Sequence, residues 1–291
     1  EGEEIMEAFA EFSDCTPAFW SLVKFVSETL GYTQRGRTRA DSRVKTYCHT
    51  ELYSLSSSHG LNIDDDTVSR IIFYSQKRAT VLNNVVQHNL MTAEQAEIEF
   101  NKLHDIAVRN HFRCKIPMNK QSGAMKKVNY FTAIINILTE MTIRKSNLYP
   151  GQLGFNDDPR GLIYLMDDAH QLAGASSRRF DGAFPGIINP VMVWEIKEYY
   201  YATTFGSRVA DGVYETQLDG FELNEIYNRT GHKIKHVFMV DAYKTWWIDG
   251  KSYLCRIIDA LNAGLVDEAI FGREILTRWP LVVNSVLFDN C

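Results

Sequence analysis

The sequence has few cysteines and arranges none of them in the pairs that bind metals. Its five cysteines are scattered and odd in number, with no Cys-x-x-Cys pair and no clustered histidine beside them. Structural zinc sites use closely spaced ligands, and disulfide frameworks of small secreted domains use an even number of cysteines. We therefore expect neither a structural zinc ion nor a disulfide framework.

Long apolar runs are also absent. No stretch approaches the ~18 uncharged apolar residues that a membrane-spanning helix needs. The segment 1–4 is acidic and lacks the positively charged start of a signal peptide. The sequence therefore predicts a cytoplasmic protein without a membrane partner.

Proline is scarce, and no tract has a biased composition. The chain has 7 prolines in 291 residues and is 45% hydrophobic and 23% charged, which is typical of an ordered globular protein. Its length allows one large domain or two modest ones.

Positive charge in bulk is missing as well. A net charge of −5 argues against a protein that coats nucleic acid through its overall charge, so contact with phosphates would depend on local clusters. Residues 34–45 contain five positive side chains, among them Arg35, Arg37 and Arg39. Both phosphate contact and an ordinary solvated turn remain open for this run.

A second basic segment is the better candidate for DNA contact. Residues 102–127 carry seven Lys or Arg against one Asp and include a predicted loop. The side chains that we expect to contact nucleic acid here are Lys115, Lys120, Lys126 and Lys127.

The hydrophobic rhythm changes near residue 126. Helical spacing prevails before it, which predicts a mainly helical region over 1–125. After it, a predicted helix precedes three apolar runs, and a long helical stretch then precedes one more apolar run and a last helix. This order predicts an α/β core over 126–291 with a mixed central sheet flanked by helices. In chain order, the predicted core elements lie at about 127–144, 161–166, 179–184, 191–200, 207–228, 234–240 and 251–263.

Two of these predicted strands form a β-hairpin. Pro-Gly and Asn-Pro pairs mark the turn. A hairpin centred near Ile188 places Asp181 across from Glu195, since each lies seven positions from the centre. Because side chains alternate along a strand, Glu195 and Lys197 project from one face. Two carboxylates and an ammonium group are thus expected to converge.

Such a cluster suits a divalent metal ion. Two acids buried together without a cation are costly, and a divalent cation removes the repulsion between them. Oxygen ligands favour Mg²⁺, with Mn²⁺ as a substitute, so Asp181 and Glu195 are the predicted metal ligands. Lys197 would stabilise charge that develops on a phosphate. The pattern indicates phosphodiester hydrolysis.

These residues resemble the motif of the PD-(D/E)XK nuclease superfamily, which includes most type II restriction endonucleases. The matching residues are Asp181 and Glu195-Ile196-Lys197, and the resemblance covers about residues 126–275; Phe180 stands in place of the motif's proline. The resemblance implies a restriction-endonuclease-like fold, in which the acid begins the turn of the second core strand and E-x-K lies on the next strand. It also implies a Mg²⁺-dependent DNA endonuclease, of restriction or other antiphage type. Because both strands of double-stranded DNA would be cut, it favours a homodimer.

The resemblance suggests two supporting residues. Family members often carry another acid on the helix before the first strand, and Glu140 is the available match. Some branches use a glutamine followed by an aromatic residue on the later helix, which Gln217 and Phe221 loosely match.

Two alternative functions stay open. The chain could be an inactive nucleic-acid-binding or interaction module on the same fold, in which Lys197 merely pairs with Glu195. It could also be a nuclease for RNA or for branched or single-stranded DNA, since the chemistry at the metal is largely indifferent to the sugar.

Overall fold

The computed structural model describes residues 6–119, 123, 126–201 and 206–288. Its helices are α1 (Pro17–Leu30), α2 (His49–His59), α3 (Asp65–Val81), α4 (Gln87–Asn89), α5 (Ala93–Arg109), α6 (Tyr130–Ser146), α7 (Ser207–Thr230), α8 (Lys251–Asn262) and α9 (Ile275–Phe288). A π-helical segment, Leu82–Val86, continues α3 into α4, and another, Lys244–Asp249, precedes α8. Short 3-10 helices lie at Ala10–Phe12 and Gly272–Glu274.

Side-chain caps fix the starts of several helices. The Asp64 carboxylate accepts a hydrogen bond from the Thr67 amide (2.8 Å) where α3 begins. At the start of α5, Thr92 and Gln95 each accept a hydrogen bond from the other's backbone amide. These caps satisfy amides that have no partner inside the helix.

The strands form three separate sheets. They are β1 (Thr33–Gln34), β2 (Arg43–Val44), β3 (Tyr164–Met166), β4 (Leu172–Ala175), β5 (Gly182–Phe184), β6 (Met192–Glu198), β7 (Lys235–Asp241) and β8 (Glu268–Phe271). β1 pairs with β2 and β3 with β4, both antiparallel, whereas the central sheet has the order β5-β6-β7-β8.

The central sheet is mixed, which confirms the predicted α/β class. β5 runs antiparallel to β6, and β6, β7 and β8 are parallel. Parallel neighbours need crossover connections. α7 supplies the connection from β6 to β7, and α8 supplies the one from β7 to β8.

Helices cover both faces of this sheet. On one face, Trp194 and Met239 pack in a cluster with Phe131 of α6 and Trp279 of α9. On the other, Val193 packs with residues of α7, and Phe238 and Val240 of β7 pack with residues of α8. The sheet therefore lies between two helical layers, and a charged side chain in the middle of a strand points towards a helix.

Two predictions about the strands were wrong. The run at 161–166 was expected to join the central sheet, but β3 pairs with β4 in a sheet of its own. The place at the far edge is taken by β8, for which the sequence predicted no strand. The sequences of the missed strands are Leu-Ala-Gly-Ala for β4 and Glu-Ala-Ile-Phe for β8. Both strands are short and contain few of the β-branched residues that indicate a strand, so the sequence pattern did not predict them.

The helix α9 was also not predicted. It contains Pro280, and a proline in the sequence ordinarily predicts the end of a helix. Burial of Trp279 and Val283 against α6 and the sheet holds this helix in place.

The first three helices build a core of their own. Phe12, Phe19, Val26 and Leu52 form an apolar cluster with Ile71 of α3. Among the described residues, no helix combines the length and apolarity that crossing a bilayer requires.

Candidate active site

The hairpin β5–β6 has the predicted register. Gly182 pairs with Trp194 and Phe184 with Met192, so the pairing is centred on Ile188 as expected. Gly182 is required at its position because a Cβ there would lie 2.0 Å from the ring of Trp194. This close approach sets Asp181, the residue before β5, beside Glu195.

The predicted strand parity is also confirmed. Trp194 and Ile196 pack in the cluster that contains α6 and α9. Glu195 and Lys197 point to the other face, where they pair with each other and Nζ of Lys197 lies 3.5 Å from Glu215 of α7.

Backbone amides hold the two carboxylates next to each other. The amide of Ile196 donates to Oδ2 of Asp181 (2.8 Å), and the amide of Asp181 donates to Oε2 of Glu195 (3.2 Å). Asp181 is exposed, whereas Glu195 is only 2% exposed. The pair thus reaches from solvent into the layer between the sheet and α7.

Burial makes Glu195 hard to ionise. It raises the pKa of Glu195 to about 8, and the charge of Asp181 adds to the rise, while Lys197 and Arg178 oppose it. Nζ of Lys197 lies 2.9 Å from Oε1 of Glu195, and the Arg178 guanidinium donates to the same oxygen. Burial alone would lower the pKa of Lys197, but the carboxylates of Glu195 and Asp181 raise it, so the ammonium stays charged.

Three charged residues of this cluster were not predicted. Arg178, in the loop between β4 and β5, binds Glu195, and its Nη2 lies 3.4 Å from Glu215. Its Nε lies 3.3 Å from Oδ1 of Asp219. Glu215 and Asp219 are four positions apart on α7, so they share a face of that helix. This spacing was the available signal, but it identifies a site only when the sheet-facing side of α7 is known.

An open cavity of about 960 Å³ lies in front of the cluster. Asp181 and Lys197 line it together with Lys115, one of the side chains predicted to contact nucleic acid. The other basic side chains of its wall are Arg160, Arg178 and Arg179. A cavity with such a lining can admit a phosphate.

Acidic neighbours position Lys115 at the cavity wall. Its amide donates to Asp157 (2.6 Å), and its Nζ lies 2.9 Å from Asp158. Arg160 also pairs with Asp158 (2.6 Å). Two of the basic side chains of the wall, Lys115 and Arg160, are therefore held by the neighbouring acids Asp157 and Asp158.

Glu140 lies outside this cluster, so its predicted place in the site was wrong. Its buried carboxylate accepts the amides of Arg113 (2.8 Å) and Cys114 (2.7 Å) and pairs with Arg144 (2.5 Å). Its oxygens are used to anchor the chain after α5, and it does not line the cavity.

Gln217 is also not part of the cluster. The large side chains near it on α7, Tyr214, Leu218 and Phe221, are exposed, so this face of the helix does not pack on the sheet. Gln217 lines a separate groove between α1, α7 and α8. The buried face of α7 instead carries Val213 and Asp219. The face of α7 that packs on the sheet is therefore set by tertiary contacts, and the hydrophobic pattern of the helix alone did not predict it.

The remaining basic residues are dispersed. Arg35, Arg37 and Arg39 are exposed and do not line the cavity, and Arg39 pairs with Asp249 (3.0 Å). Lys126 and Lys127 are exposed and do not line the cavity, and Lys120 lies outside the described residues.

The carboxylates suit a magnesium ion in their chemistry. Oδ1 of Asp181 has no hydrogen-bond partner among the described residues, and Asp181 itself lines the cavity. Within the described part of the chain, no group of three His, Cys, Asp or Glu side chains is arranged to hold a metal. Mg²⁺ often uses one or two protein carboxylates and keeps several waters, so Asp181 and Glu195 fit it. Arg178 and Lys197 now neutralise Glu195.

Fold and site together define a mixed α/β protein with a buried ionic cluster at the end of a hairpin. Residues 91–286 match a domain family of unknown function (DUF7687), and the chain belongs to that family. Residues 6–85 match a second domain family of unknown function (DUF7690). No curated protein and no solved structure matches the chain. The matched ranges meet between residues 85 and 91, and the domain boundary predicted at 125/126 stays a prediction.

Proposed function

We propose that the protein is a Mg²⁺-dependent nuclease of the PD-(D/E)XK type that hydrolyses DNA phosphodiester bonds. One observation carries this proposal: Asp181, Glu195 and Lys197 meet at the end of the β5–β6 hairpin. Two of them, Asp181 and Lys197, line a cavity with a basic wall.

The element order supports a restriction-endonuclease-like core. α6 precedes the strands, Asp181 comes directly before β5, and Glu195 and Lys197 lie on β6. A helix, α7, and a further strand, β7, follow. This is the sequence of elements that the motif has in that superfamily.

Asp181 and Glu195 would hold Mg²⁺ or a substituting Mn²⁺, which supplies polarisation of the phosphoryl oxygen and a water of lowered pKa. Lys197 places a positive charge beside the reacting phosphate, and its raised pKa keeps it protonated at neutral pH. Lys115, Arg160 and Arg179 would bind neighbouring phosphates of the strand.

We extend the proposal to a restriction or other antiphage enzyme that acts on double-stranded DNA as a homodimer, located in the cytoplasm. One cluster can cut one strand, so a second copy would cut the other. The net charge of −5 supports local contact through the cavity wall rather than binding along the whole surface.

Incubation of supercoiled plasmid with Mg²⁺ tests the proposal. Glu195→Ala and Lys197→Ala should each reduce the cleavage rate by at least ~100-fold, because each removes preorganised charge at the reacting phosphate. Lys145→Ala, at an exposed position of α6, should leave the rate unchanged. Undiminished cleavage in the first two variants, with their fold verified by circular dichroism, would refute the assignment.

A binding module is the second candidate function. The observation that favours it is the pairing of Glu195 with both Lys197 and Arg178, which satisfies the acid without a metal. Single-stranded DNA, branched DNA and RNA should be included in the same assay. Binding of nucleic acid without cleavage of any substrate, in Mg²⁺ or Mn²⁺, would favour the module over the nuclease.

A further inference from the structure

Arg178 occupies the carboxylate oxygen that a metal ion would need. We infer that Arg178 is an exchangeable counter-ion, which leaves Glu195 and pairs with Asp219 of α7 when a divalent cation binds. This inference rests on the proposed function, because it concerns the same site. It assigns roles to two residues outside the motif.

The first position of the guanidinium is on Glu195. Oε1 accepts hydrogen bonds from Arg178 and Lys197, and Oε2 accepts the amide of Asp181. When Glu195 is ionised, its buried carboxylate, 2% exposed, requires a cation, which Arg178 supplies in the absence of metal. A divalent cation can coordinate Oε1 only after the guanidinium has moved.

A second position is already built on α7. Asp219 is 1% exposed, and neither of its carboxylate oxygens has a hydrogen-bond partner in the part of the chain that the structure describes. Nε of Arg178 also lacks a hydrogen-bond partner among the described residues, although it lies 3.3 Å from Oδ1 of Asp219. Buried polar groups almost always have partners. A paired arrangement of Arg178 and Asp219 would satisfy all three of these atoms.

The guanidinium already lies between the two positions. The guanidinium contacts Glu195 through Nη2, while Nε is near Asp219 and Nη2 is 3.4 Å from Glu215. One planar group thus spans both positions. Lys197 stays on Glu195 and is 3.5 Å from Glu215.

The charges of the cluster also call for a divalent cation. Its acids are Asp181, Glu195, Glu215 and Asp219, and its cations are Arg178 and Lys197. With all four acids ionised, two negative charges remain, which is the charge that Mg²⁺ would neutralise. If Arg178 stays in the cluster on Asp219, the metal-bound state is balanced.

Calorimetric titration with Mn²⁺, without nucleic acid, tests the exchange. Asp219→Asn should weaken Mn²⁺ binding by about tenfold or more, because Arg178 loses its second partner. Arg178→Gln should bind Mn²⁺ more tightly than the wild type, because the competitor at Glu195 is gone. The double variant should bind like Arg178→Gln, since Asp219 matters only while Arg178 is present.

Three results would overturn the inference. One is an unchanged affinity in Asp219→Asn, and another is a weakening by Asp219→Asn that persists in the Arg178→Gln background. If Asp219→Asn does not fold, Arg178→Gln alone decides, and an affinity no higher than the wild type's is the contradicting result. If the wild type binds Mn²⁺ and cleaves DNA, any of these results refutes the exchange but leaves the nuclease proposal standing. If the wild type binds no metal, the nuclease proposal is overturned as well.

Discussion

Asp181 and Glu195 are chemically similar acids that sit at different depths of the same cluster. Asp181 lies on a loop and is exposed, so its replacement changes the cavity wall and little of the core. Glu195 lies mid-strand and its burial raises its pKa to about 8. Substitution of Glu195 therefore affects packing and charge together, and Asp181 is the cleaner residue on which to test the chemistry.

A buried acid away from the cluster gives a prediction on pH dependence. Burial raises the pKa of Asp241 from 3.8 to about 8, although the Tyr200 hydroxyl and the amides of Met91 and Ala242 donate to its carboxylate. The folded state therefore holds a proton that the unfolded state releases between about pH 4 and 8. The contribution of Asp241 to stability is complete below pH 4 and is lost as the pH rises to 8.

Asp241→Asn should remove this dependence. The wild-type free energy of unfolding should fall more steeply between pH 5 and 8 than that of the variant, by at most about 1.4 kcal/mol per pH unit, the limit for one proton. Urea denaturation at several pH values, with EDTA present, measures both slopes. Equal slopes would contradict the burial-driven shift.

At this scale, the sequence predicted the residues that depend on short-range geometry. Glu195 and Lys197 follow from strand alternation, and Asp181 follows from the symmetry of a hairpin. Arg178 and Asp219 could not be found in that way, because their meeting depends on how α7 packs against β6. Glu140 shows the opposite error. Its residue type and its helix match the motif, but its carboxylate accepts hydrogen bonds from backbone amides away from the cluster.

At the scale of elements, α7 shapes the site through its close approach to β6. A Cβ added at Gly212 would lie 3.0 Å from Cε of Lys197 and 3.3 Å from the hydroxyl of Tyr199. Lys197 is the more flexible neighbour, so it would shift. Gly212 thus leaves room for the ammonium group beside Glu195.

Gly212→Ala should reduce cleavage about tenfold or more while changing the melting temperature little, because small displacements of charged groups at a reacting centre are costly. Gln217→Ala is the matched control on the same helix, and it should cleave like the wild type because Gln217 faces a different groove. The comparison of initial rates on plasmid checks both. A reduced rate in Gln217→Ala would restore that residue to the site.

The predictability of the elements follows their length and their partners. β6 and β7 have seven residues each with strong apolar runs, and the sequence predicted both. β8 and α9 are defined by neighbours far along the chain, and α9 even contains a proline, whereas β4 pairs with the nearby β3 but is short and carries no β-branched residue. The local sequence pattern therefore predicted the two central strands of the sheet, whereas the strand at its far edge depends on tertiary contacts.

At the scale of the whole molecule, a buried arginine connects the early helices to the α/β core. Nη1 of Arg78 in α3 donates to both carboxylate oxygens of Asp259 in α8 (2.9 Å each). Its Nη2 donates to Ser27 and Tyr47. Because the regions 6–85 and 91–286 match different families, this contact couples the two matched parts of the chain.

Arg78→Met should lower the free energy of unfolding by about 3–5 kcal/mol, as expected when one partner of a buried ion pair is removed. Arg70→Ala breaks an exposed pair with Asp14 and should cost less than about 1 kcal/mol. Urea denaturation followed by tryptophan fluorescence measures both. Similar losses of unfolding free energy in the two variants would show that Arg78 does not couple the two matched parts of the chain.

The cleavage rate of Asp181→Asn tests the central claim most directly. The amide keeps an oxygen that can accept from Ile196, and the exposed position leaves the core intact, so the change mainly removes charge at the proposed metal site. Asp168→Asn is the control, because Asp168 is an exposed acid in the turn between β3 and β4 and does not line the cavity in front of the cluster. We predict a loss of Mg²⁺-dependent plasmid cleavage by at least ~100-fold in Asp181→Asn and none in Asp168→Asn. Equal cleavage by Asp181→Asn and the wild type would contradict the claim that this cluster performs the hydrolysis.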